Sequence, residues 1–133
     1  MPSATYIPRG DVMTLSTVKS QIFDIDNGAG ATIDETILCP AQAITLRAAR
    51  IVYDDATTGT VAAATAQIGV AVAGATVVAA TALENTKAVG TTTAMTLLIS
   101  AVAAGTPLIV RHTGIASTAA GRYHVELDYT IDG

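Results

Sequence analysis

Few side chains in this 133-residue sequence could do chemistry: His112, His124, Cys39, two small groups of acids and five isolated serines. A zinc site takes three or four sulfur, imidazole or carboxylate ligands. Here only the two histidines and Cys39 could supply the soft or imidazole groups, and no ligand-like spacing links them. They are expected to be two ordinary surface or edge histidines and a small buried thiol before Pro40. Asp24, Asp26 and Asn27 precede Gly28 and resemble a fragment of a calcium loop, but Gly28 falls where the third ligand should be. Asp54-Asp55 is a similar pair. Both groups are expected to be solvated turn carboxylates.

No serine lies in a nucleophile-elbow setting, and no glycine-rich phosphate cradle opens a helix. A paired-carboxylate sugar hydrolase would need aromatic platforms, and the chain has no Trp, one Phe and four Tyr. The expectation is no catalytic residue, no metal, no cofactor and no enzymatic activity. Arg9-Gly10-Asp11 spells an adhesion tripeptide, but so short a match arises readily by chance, and a turn at the base of an arm is expected there.

The elements that would position these residues read as strands. Residues 122–132 alternate strictly. Tyr123, Val125, Leu127, Tyr129 and Ile131 form one dry face, and Arg122, His124, Glu126, Asp128, Thr130 and Asp132 a wet one. A second strand spans residues 43–54, with a change of phase at Ala48-Ala49 that predicts a β-bulge. A third is expected from the alternation of Ala66, Ile68, Val70 and Val72. Residues 93–100 and 107–113 are further strands, as are 32–38, stopped by Pro40, and 14–25, ended by the Asp26-Asn27-Gly28 turn. Residues 77–83 suit a short strand or a helical turn equally. Seven or eight strands with little helix predict an all-β antiparallel sandwich or jelly roll. Residues 1–13, with Pro2 and Pro8 and no alternation, are expected to be an extended N-terminal arm. Residues 14–133 are then the single β-sandwich domain.

Composition narrows the function. The net charge is −4 and no Lys/Arg run exists, which argues against nucleic acid. From residue 56 to residue 110 only Glu84 and Lys87 are charged. The two uncharged runs, 56–83 and 88–110, are interrupted by glycines, Pro107 and many Thr hydroxyls, so no membrane span is expected. A single cysteine excludes an internal disulfide, and the N-terminus lacks an apolar signal core, so synthesis in the cytoplasm is expected. With 26 Ala and 21 Thr, the core is expected to be built of small pieces, stabilised by a partner surface.

Several segments then carry a family resemblance. They are Leu46-Arg47-Ala48-Ala49-Arg50-Ile51-Val52-Tyr53, Ala66-Gln67-Ile68-Gly69-Val70, Val78-Ala79-Ala80-Thr81-Ala82-Leu83, and the run from Ala104-Gly105-Thr106-Pro107 through Arg111-His112-Thr113-Gly114 to Gly121–Tyr129. Together, over about residues 43–130, they resemble small virion structural proteins of tailed bacteriophages, above all head decoration (cement) proteins and head-fibre bases. The resemblance implies a jelly-roll-like sandwich, usually a homotrimer, seated on the major capsid protein at the outer surface of the head. It does not reach the arm, where composition alone nominates Tyr6, Ile7 and Arg9 as assembly contacts. Two rivals remain: a tail or head-fibre component touching a host receptor, and a free carbohydrate- or ligand-binding sandwich using Tyr53, Tyr123 or Tyr129.

Overall fold

Strand-forming, period-two segments separated by glycine turns fold here into two antiparallel sheets, with no helix among the described residues. A computed structural model describes residues 14–115 and 120–132. The expected arm, with Tyr6, Ile7, Arg9 and the Arg9-Gly10-Asp11 turn, lies outside the described residues. The strands in chain order are β1 (Ser16–Lys19), β2 (Phe23–Asp24), β3 (Thr32–Leu38), β4 (Ile44–Tyr53), β5 (Thr65–Gly69), β6 (Val78–Ala82), β7 (Thr92–Met95), β8 (Ala101–Val102), β9 (Leu108–Thr113) and β10 (Arg122–Ile131). One sheet has the order β1-β10-β4-β7, with β2 on β10 and β8 on β4; the other has β3-β9-β5-β6. Leaving aside the two-residue strands, this is eight strands in the interleaved order of a jelly roll.

The expected bulge is present. Asp128 pairs with Ala48 and Tyr129 with Leu46, so Arg47 is the extra residue and β4 changes face around it. Leu46 and Ala49 therefore both point inward. Residues 77–83 resolve as strand β6 rather than helix.

Other expectations need correction. The third strand ends at Gly69, and Val70 and Val72 are exposed in the turn that follows. The cause is a close backbone crossing: a Cβ on Gly69 would lie 2.5 Å from the Gly74 carbonyl carbon. Gln67 holds that turn by donating from Nε2 to the carbonyls of Ala73 and Gly74. Residues 14–25 form two short strands, both on β10, rather than one. The run 93–100 breaks after Met95; Leu97 then bridges Val78 of the other sheet, and the chain returns as β8.

The core is not made of small pieces. Phe23, Tyr53, Tyr123 and a set of Ile, Leu and Val side chains fill it, with Ala49, Ala64 and Ala66 the alanines among them. A buried aliphatic or aromatic side chain contributes about 1.5–3 kcal/mol, so the domain owes its packing to a minority of residues. Most alanines are left for the surface.

Candidate assembly interface

The residues singled out for chemistry serve the fold. His112 is fully buried, contrary to the expectation of a surface histidine, because β9 turns Leu108, Val110 and His112 inward together. Its Nδ1 lies 2.6 Å from the Tyr123 hydroxyl and its Nε2 3.2 Å from Asn27 Oδ1. With Nε2 donating to Asn27, Nδ1 accepts the Tyr123 proton. Phe23 stacks on the imidazole at 5.2 Å between ring centroids. Burial pushes the His112 pKa down, and it pushes the Tyr123 phenol up.

His124 lies on the face of β10 read as wet, and that face is largely covered: His124, Asp128 and Thr130 are buried. Long side chains from neighbouring strands lie across it. Arg50 of β4 reaches both Glu126 and Asp128 at 2.7 Å, and Thr17 of β1 donates to Asp128. His124 bridges Asp54 and Glu126, each at 2.8 Å. The hydrogen bond from His124 and then that from Arg50 hold the Glu126 carboxyl below its ordinary range; Arg50 and then Thr17 do the same for Asp128. This is a satisfied ion-pair ladder across one sheet.

The two acidic groups are also engaged. Asp55 accepts from Arg122, Asp24 Oδ1 caps the Asp26 amide, and Asn27 holds His112. Cys39 is exposed rather than buried, since Pro40 takes the inward place beside it. Tyr53 and Tyr123 are wholly in the core and Tyr129 is partly covered, so neither of the first two offers a platform for a sugar.

The strand registers reveal a division that no single segment shows. One end of the sandwich carries the connections 25–31, 54–64 and 83–91, with Asp26, Asp54, Asp55, Glu84 and Lys87, and the start of β10 at Arg122. The opposite end carries the connections 39–43, 70–77 and 96–107, and none of these contains an Asp, Glu, Lys or Arg. Backbone bonds tie this end together: Leu98 N donates to Val77 O, Leu46 N to Ser100 O and Gly105 N to Pro40 O. Of the eight large hydrophobic side chains exposed among the described residues, six lie here: Leu15, Val70, Val72, Leu98, Ile99 and Ile131. Val72 is 60% exposed and Leu98 52%. Apolar surface gathered in this way marks a binding face, whereas single scattered residues do not.

The same end holds a cleft of about 320 Å³, on the β1/β3 side of the sandwich. Leu38, Pro40, Ile44, Tyr129 and Ile131 line it, together with Cys39 and Gln42. Val70, Val72, Leu98 and Ile99 lie towards the β6/β7 side. The uncharged middle of the chain is visible in the sequence, but only the topology brings residues 39–43, 70–77 and 96–107 to one place.

No family model matches this sequence, and no curated protein matches it. Among solved structures, a chain of the cyanophage Pam1 capsid asymmetric unit shares the fold, with a TM-score of 0.62 over 90% of this chain and 86% of that one, at 14% sequence identity. The likeness is one of fold.

Proposed function

We propose that this chain is a structural virion protein that decorates the outer surface of a phage head as a symmetric oligomer, acting by binding rather than catalysis. The observation that carries this reading is the apolar end of the sandwich, whose three connections carry no charge and whose charged residue, Asp132 at the end of β10, is held by the Thr45 hydroxyl. Interface cores are depleted of charge, because a charge buried without a partner costs several kcal/mol. An end with no charged connection can be covered by a shell protein without that cost. The fold shared with a chain of a phage capsid asymmetric unit supports the same reading.

In this account the turns 70–77 and 96–107 seat on the major capsid protein, and the acidic end faces outward. Tyr6, Ile7 and Arg9 of the arm strap an adjoining chain. Each contact is small, and repetition around a symmetry axis multiplies affinity without any single strong site. The protein would be made in the host cytoplasm and added to the assembled shell.

The test is sedimentation of the purified chain with undecorated empty heads of the virus that encodes it. Saturable co-sedimentation at a fixed number of copies per shell is expected. A chain that stays in the supernatant at all concentrations overturns the proposal.

A further inference from the structure

The cleft on the β1/β3 side has an occupant close at hand in sequence. β1 pairs with β10 so that Ser16 lies opposite Tyr129, a residue of the cleft wall. The ladder ends there, and Thr14 and Leu15, which precede β1, are exposed. Read backward, β1 runs out of the sandwich at the apolar end. The start of β1 therefore lies beside a residue that lines the cleft.

We infer that the cleft is the receptor for the N-terminal arm of a second copy of this chain, with Tyr6 and Ile7 as the inserted side chains. This rests on the reading of the chain as a symmetric oligomer and names what its arms grip.

The chemistry of the two surfaces matches. The cleft lining contains no charged residue and presents Leu38, Pro40, Ile44, Tyr129 and Ile131. The arm contains one uncharged stretch with bulky apolar groups, Ala4-Thr5-Tyr6-Ile7-Pro8, bounded by Arg9. Pro8 biases Ile7 towards an extended backbone, which lowers the ordering cost of laying the segment into a groove. A volume of about 320 Å³ is at the small end for ligand pockets, and suits a short peptide segment better than a domain.

Reach favours a second copy. The eight residues from Thr14 to Tyr6 span up to about 28 Å when extended, enough to leave their own cleft and reach one on a neighbour packed against this end of a domain about 35 Å across. Tyr6 lies eight residues beyond Thr14, so a straight arm carries it well past its own cleft. Return to that cleft requires a full reversal near Gly10. One arm and one cleft per copy also satisfy every subunit of a closed ring, with none left over. The exposed side chains at the root, Leu15 and Ile131, gain cover when a neighbour's arm arrives.

Cys39, at the cleft, supplies a native probe. Thr5→Cys, beside the inserted pair, in the full-length chain is treated with a short bis-maleimide and run on a denaturing gel, beside the parent chain carrying Cys39 alone. The expected result is conversion to covalent oligomers that the parent does not form, with loss of that product when Ile131→Arg fills the cleft with a charge. A link confined to single chains, seen as thiol loss without a mass increase, places the arm in its own cleft and overturns the inference. Absence of any link beyond the parent's also overturns it. Circular dichroism of Ile131→Arg checks that the sandwich persists, and Thr5→Cys alone decides the question if it does not. The experiment uses no shells, so its failure with head binding intact rejects this inference only. Loss of head binding by the parent chain rejects the functional reading instead.

Discussion

The imidazole Nδ1 of His112 lies 2.6 Å from the hydroxyl of Tyr123, joining β9 of one sheet to β10 of the other across the core. Both residues are wholly buried. Tyr123→Phe removes the donor and leaves Nδ1 unsatisfied in the interior. A loss of about 1–3 kcal/mol is expected, read as a lower urea midpoint with an unchanged denaturant slope.

The same pair predicts a pH dependence. Burial lowers the folded-state pKa of His112 below its ordinary 6.5. The unfolded chain therefore takes up a proton that the folded chain refuses as pH falls through that value. Stability is complete above pH 6.5 and declines below it, until the folded pKa is reached. His112→Gln lacks this term. The gap in thermal midpoint between the parent and His112→Gln should shrink from pH 7.5 to pH 5; a constant gap contradicts the assignment.

Gly114 is required by contact rather than by backbone angle. A Cβ there would lie 1.3 Å from Asn27 Oδ1, the oxygen that faces His112. Gly114→Ala forces Asn27 away and should cost about 1–3 kcal/mol by overpacking. Gly105→Ala is a useful contrast, since nothing lies within 4 Å of its added methyl and only its φ of +80° opposes it.

Arg50 joins Glu126 and Asp128 at the partly exposed sheet surface. Arg50→Met should cost about 1 kcal/mol at low salt and less at high salt, because solvent screens the ladder. Both carboxyls are held below their ordinary values, so this stabilisation is present above about pH 4.5 and is lost as pH falls through the folded values. Denaturant titrations at pH 7 and pH 3 measure the difference, which should be smaller at pH 3 than at pH 7.

Much of the fold was legible in the residues themselves. Alternation located β10, the Asp26-Asn27-Gly28 turn and Pro40 bracketed β3, and the Ala48-Ala49 phase change announced the bulge that Arg47 makes. Alternation failed where neighbours decide. Val70 and Val72 continue the pattern of β5, but the crossing of Gly69 and Gly74 ends the strand. The outer face of β10 looked wet because its residues are polar, yet Arg50 arrives from β4 to cover them. His112 had inward parity on β9, and its polar type concealed that. The candidate interface was legible only as an absence of charge. Its three connections are far apart in sequence, and a jelly-roll order is what gathers them at one end.

The central claim is that the apolar end, with its uncharged connections, and not the acidic one, meets the shell. Hydrogen exchange of the chain, free and bound to empty heads, tests this most directly. The account predicts new protection in residues 70–77 and 96–107 and none in 54–64 and 83–91. Protection confined to the acidic connections, with Val72 and Leu98 exchanging as in the free chain, would contradict it.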